Sequence, residues 1–286
     1  VSEGTYRPGS YITNHDTLDK LCECGWRISL ETEGRKTDWR GEAASVVFRK
    51  LFATCISFLR LNPKSAYYRQ TPPDLWDLPS AATLCRNLIE SFYVLAYVVE
   101  SPADQEERDF QKALWHYHAA FERHELLRVG VPDSKGLPRV QAKHESARIA
   151  LEASPTFQQL SERHRAQLLK GKAFMLPSKV DLSRALGISE KYFRFHYRHC
   201  SIYAHTSPYS VSCLGSLTAG TEKGERAFRI VAGAATGYTA LAIREFLRLC
   251  PDQRDSLSVE IKEAVALYEG ILRDWESHTD SQKSDS

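Results

Sequence analysis

The chain has 286 residues, 42% hydrophobic and 26% charged, with 15 Gly, 12 Pro and 7 Cys. That composition excludes a collagen, a disordered polar chain and a disulfide miniprotein, and the length is enough to bury a proper core. The formal charge is +2, from 38 basic and 36 acidic residues. This argues against broad coating of phosphates, which needs a larger basic excess, but leaves room for a local basic site.

Apolar residues recur at spacings of three and four almost throughout, which predicts helices. The first spans 16–33, with Leu18, Leu21, Trp26 and Ile28 on one rough face. A long amphipathic helix follows over 38–61, carrying Ala44, Phe48, Leu51, Cys55 and Phe58. Pro63, Pro72, Pro73 and Pro79 make 63–79 a structured loop. The most apolar helix spans 80–101. The next, 103–129, opens on Asp104, Glu106 and Glu107, which suit a helix N-terminus. Helices over 138–153 and 155–170 each begin with Pro, favoured at the first helical position. A short helix at 182–186 and a longer one at 190–204 meet at Gly187. Helices over 222–249 and 258–276 complete the set. No run alternates with a period of two. The expected fold is all-α, a multi-helix bundle of about ten helices without significant sheet. Its expected parts are an N-terminal helix and arm (1–37), a single helical-bundle domain (38–278) and a disordered tail (279–286). Gly233-x3-Gly237 predicts a close approach by another helix.

The seven cysteines are odd in number and irregularly spaced, and Cys22-x-Cys24 has no second pair to complete a zinc site. They read as reduced thiols packed as small apolar residues, which suggests the cytoplasm. The first ten residues are polar, so no leader is read there. The longest purely apolar run, Phe92–Val99, falls short of the ~20 residues that cross a bilayer. No membrane contact is expected.

One helix carries chemical information. Residues 193–205 read FRFHYRHCSIYAH, in which Phe193, Tyr197, Ser201 and His205 recur at intervals of four. Neighbouring members of that series share a face. Pro208 biases Ser207 away from helical angles, so the helix stops near His205. Arg198 lies seven residues before His205, only ~20° off the same line. A second polar pair, Arg86 and Glu90, sits one turn apart in the apolar helix 80–101. Charges in such surroundings need partners on a facing helix. The two helices are therefore expected to face each other and to bring Arg86, Glu90, Ser201 and His205 into one polar cluster.

The segments RNLIESFYVLAYV (86–98) and YFRFHYRHCSIYAHTSP (192–208) resemble an uncharacterised bacterial all-helical family. That family pairs an Arg-x3-Glu helix with a Tyr-x3-Tyr-x3-Ser-x3-His segment. Phe193 takes the first aromatic place, while Tyr197, Ser201, His205 and Ser207 fit as they stand. More distantly, Arg198, His199 and His205 resemble the Arg-x4–6-His hallmark of HEPN domains. That resemblance implies metal-independent RNA cleavage by a homodimer, in a defence or toxin–antitoxin setting. The 2′-OH attacks the adjacent phosphate, His205 moves the proton and Arg198 holds the charge. Arg86, Glu90, Ser201 and Tyr197 would support the pair. The spacing alone is not selective, because Arg139/His144, Arg194/His199 and Arg273/His278 match as well.

Residues 182–193, LSRALGISEKYF, also resemble the turn of a DNA-binding helix-turn-helix, with Ser183, Gly187 and a Ser189 cap. Lys191, Arg194, Arg198 and His199 would then contact nucleic acid. A recognition helix must show Arg194 and Arg198 to solvent, whereas a structural knot buries Ser201 and His205. His118 and Glu122 are one turn apart but lack an H-E-x-x-H context, so no metal is assigned to them. No phosphate-binding glycine loop occurs, and no cofactor is expected. Three readings stand: a metal-independent endoribonuclease, a non-catalytic scaffold with an architectural Arg/Glu/Ser/His cluster, and a DNA-binding protein. The sequence does not decide whether the chain is an enzyme.

Overall fold

The computed structural model describes residues 11–61, 77–100, 104–215, 217 and 221–275. The expected tail at 279–286, nearly all of the loop at 63–79 and the first ten residues lie outside that set. The described residues form twelve α-helices and no strand, an all-α fold.

In chain order the helices are α1 (Tyr11–Glu31), α2 (Trp39–Leu61), α3 (Leu78–Val99), α4 (Gln105–Gly130), α5 (Leu137–Glu152) and α6 (Pro155–Gln159). Then come α7 (Glu162–Leu169), α8 (Lys179–Ala185), α9 (Glu190–Ala204), α10 (Pro208–Gly215), α11 (Glu222–Phe246) and α12 (Val259–Arg273). A short 3₁₀ turn, Pro251–Arg254, follows α11. Against the sequence expectation α1 begins five residues earlier and α8 three, and two elements differ in kind. The helix expected over 155–170 breaks at Leu160, whose backbone is extended, and restarts where the Ser161 hydroxyl accepts from His164 N–H. Ser207 and Ser210 cap each other's backbone and start α10, which was not foreseen.

The helices group into two compact units, α1–α3 with α8–α12 and α4–α7. The first unit is built around α3. It is apolar on nearly every side and packs chiefly against α2, α11 and α9. By length and composition α3 could cross a bilayer, but 67% of its most apolar window is buried inside the fold. Aromatic pairs lock the unit: Phe48 of α2 on Phe246 of α11 at 4.0 Å, Phe92 of α3 on Tyr238 at 5.3 Å and Tyr93 of α3 on Phe193 at 5.1 Å. Such pairs add roughly 0.5–1.5 kcal/mol each beyond area burial. Arg40 donates from Nε to Val98 O at 2.9 Å and from Nη2 to Val99 O, placing a cation at the carbonyl end of α3. The α1 segment packs into this unit against α11 and α2.

Gly237 is the close approach predicted from Gly233-x3-Gly237. A Cβ there would fall 2.9 Å from Leu272 Cδ1 and 3.2 Å from Tyr192 Oη. At Gly233 the nearest atom, Asn14 Nδ2, is an ordinary 3.4 Å away.

The second unit packs α4, α5, α6 and α7 around Phe110, Leu114, Tyr117, Leu151, Phe157 and Leu168. Tyr117 donates to Leu169 O at 2.6 Å. His118 and Glu122 lie 3.9 Å apart, with His118 edge-on to Phe174, and among the described residues no group of three or more His, Cys, Asp or Glu could hold a metal. All seven cysteines are free thiols, and six of them are buried.

Candidate functional site

The site lies in the first unit, where α3 faces α9. The inner face of α9 is apolar and fully packed: Tyr192, Phe193 and Cys200 are buried there with His196. This fixes the helix and turns Tyr197 and Ser201 toward α3. Ser189 caps the N-terminus by accepting from Tyr192 N–H at 3.3 Å. The helix closes at His205, whose backbone is extended, as Pro208 predicted.

Arg86 and Glu90 reach out from α3 and meet this face. Tyr197 donates its hydroxyl to Glu90 Oε1 at 2.5 Å and accepts from Arg86 Nη2 at 3.3 Å. Arg86 Nη1 lies 3.3 Å from His205 Nε2. A guanidinium has no acceptor, so in this contact Nε2 carries the lone pair and the ring proton sits on Nδ1. The Tyr197 hydroxyl, and then the Glu90 carboxylate, raise the affinity of Arg86 for its proton, and burial opposes them only in part. Arg86 Nε is buried and has no hydrogen-bond partner among the described residues.

A member that the sequence reading missed completes the cluster. Lys179 Nζ sits 2.7 Å from Glu90 Oε2 and 5.3 Å from the centroid of the Tyr197 ring, matching Arg86 at 5.3 Å. The start of α8 is held in place by Ser183, which donates to Lys179 O at 2.7 Å and accepts from Tyr93 Oη at 2.5 Å. Burial pushes the Tyr93 hydroxyl up to about 12, so it remains a donor. No local signal marks Lys179, because its partner is remote in sequence and sits on another helix.

The predicted residues divide into two groups. Arg86, Glu90, Tyr197 and His205 come together. Ser201 lies beside them, but its hydroxyl donates to Tyr197 O at 2.7 Å and so serves the helix backbone. Arg198 does not join His205. It is exposed, forms no hydrogen bond or ion pair among the described residues, and lines an outer depression with Lys191, Arg194 and Phe195. The arginine that meets His205 is Arg86. Arg194 is exposed and donates to Glu190 at 2.7 Å. His199 is half-buried between Phe195 and Tyr203, at 5.8 and 5.1 Å, and burial lowers its proton affinity. Neither sealed knot nor open cleft describes the cluster fully: Arg86, Glu90 and Tyr197 are half-buried, and His205 is exposed.

The match to known families covers residues 44–219, described as a family of unknown function. The chain belongs to that family, DUF5677. The matched stretch contains every residue of the Arg86–Glu90–Lys179–Tyr197–His205 cluster and leaves out α1, α11 and α12. No curated protein and no solved structure matches the chain.

Proposed function

We propose that the chain is a metal-independent endoribonuclease of HEPN-like type, working in the cytoplasm of a bacterial cell in a defence or toxin–antitoxin role. One observation carries this reading: an exposed imidazole whose Nε2 lone pair faces an arginine bonded to a half-buried hydroxyl, itself held by a carboxylate. A phosphate that takes His205's place as acceptor for Arg86 leaves Nε2 free to remove a proton from an RNA 2′-OH. The 2′-oxygen then bonds to phosphorus, the P–O5′ bond breaks and the imidazolium returns its proton to the departing oxygen. Arg86 neutralises the charge gathering on the phosphoryl oxygens, and Glu90, Tyr197 and Lys179 hold its orientation.

A second reading has its own support. The bonds from Tyr197 to Glu90 and Arg86, and from Lys179 to Glu90, join α3, α8 and α9, which is what an architectural lock in a scaffold protein would do. Purified full chain incubated with total RNA in EDTA separates the two. Cleavage that is lost in His205→Ala, with circular dichroism unchanged, supports the enzyme. Intact RNA, together with a variant that melts several degrees lower, supports the lock.

A further inference from the structure

The outer face of α9 is not used by the cluster. Lys191, Arg194, Phe195 and Arg198 are all exposed and line a shallow depression of about 530 Å³ together with Glu190. At ~100° per residue, Lys191, Arg194, Arg198 and His205 fall within about 60° of one another around the helix axis. The cations thus form a stripe along α9 that ends at His205, ~10 Å beyond Arg198 by the helical rise. Glu190 does not cancel the stripe: Arg194 and Arg184 both bind it at 2.7 Å, so it orders Arg194, and Arg198 forms no ion pair among the described residues.

Phe195 is the second observation. It is 44% exposed in the middle of these cations, while its neighbours Tyr192 and Phe193 are buried. Its ring lies at 24° to His199 and 29° to Trp275, with centroids 5.8 and 6.3 Å away, so it belongs to a wider aromatic patch. An exposed ring set among cations fits a ligand that offers both phosphates and flat bases. Single-stranded nucleic acid offers both, whereas a duplex hides its base faces in the stack.

We propose that this stripe is a binding track for a single strand of RNA: Lys191, Arg194 and Arg198 hold successive phosphates, a base stacks on Phe195, and the strand runs on toward His205. The destination rests on the cleavage reading above; the binding does not. The test is fluorescence anisotropy with a labelled oligouridylate strand and full-length chain carrying His205→Ala, which prevents turnover. Phe195→Ala weakens binding by roughly tenfold, in line with stacking losses for single strands. Arg198→Ala reduces the slope of log affinity against log salt by about 0.7, one single-strand phosphate contact. A duplex DNA probe binds more weakly than the strand. Affinity unchanged in both variants overturns the proposal, as does tighter binding of duplex DNA, which would make α9 a groove-reading helix. If the strand binds through Phe195 and Arg198 but wild-type protein leaves RNA intact, the track stands and the cleavage reading fails. Cleavage of total RNA that continues undiminished in the Phe195→Ala, Arg198→Ala double variant overturns the track and leaves the cleavage reading in place.

Discussion

Arg86 Nη1 and His205 Nε2 lie 3.3 Å apart although 119 residues separate them in the chain. The contact joins the middle of the apolar helix α3 to the exposed end of α9. It gives the imidazole a defined tautomer and the guanidinium a place where a phosphate can replace a neutral acceptor.

Removing the imidazole is expected to cripple RNA cleavage while sparing the fold. His205→Ala should lower the rate by roughly 10²–10⁴-fold, the usual worth of a positioned acid–base group. Because His205 is exposed, its stability cost should stay within about 0.5 kcal/mol. Gel-resolved cleavage beside a thermal melt measures both.

Tyr197→Phe should act in the opposite way, on stability first. It deletes the hydroxyl that bridges Glu90 and Arg86 and leaves both charges half-buried with one bond fewer. The loss should be about 1–2 kcal/mol, a fall of roughly 3–6 °C in Tm for a unit of this size. Calorimetry reads it directly.

The buried His196 makes stability depend on pH. Burial lowers its pKa from 6.5 to about 4, the more so beside His199, and its contact with Tyr192 O opposes this only in part. The unfolded chain therefore takes up this proton first as pH falls. The stabilisation is complete above pH 6.5, declines between 6.5 and about 4, and levels off below. The full loss is about 3 kcal/mol. Urea titrations across that range should show the decline, and His196→Gln should flatten it.

Gly187 joins α8 to α9 with φ at +69°, and nothing lies within 4 Å of where a Cβ would stand. Gly187→Ala should thus cost about 1–2 kcal/mol from backbone strain alone. Gly187→Asn should cost less, since Asn tolerates the left-handed region better. Chemical denaturation of the two variants side by side checks the order.

The helices themselves are readable from local signals. Spacings of three and four define α2, α3 and α9, Pro marks the starts of α5 and α6, and Ser189 and Pro208 bracket α9. The need of Arg86 and Glu90 for partners in an apolar helix also suffices to predict that α3 faces α9. The break at Leu160 and the start of α10 were missed because both depend on serine hydroxyls meeting particular backbone groups.

Sequence by itself therefore determined the helical class, the faces each helix must bury and most members of the polar cluster, since these follow from periodicity and the cost of unpaired charge. Tertiary structure alone decided which arginine His205 meets. Seven residues of helix put Arg198 and His205 on nearly the same line, but a helical wheel does not say which neighbour stands opposite. Packing of α3 on the buried side of α9 brings Arg86 to the imidazole and leaves Arg198 facing outward. The same packing brought in Lys179, whose only connection to Glu90 is through space.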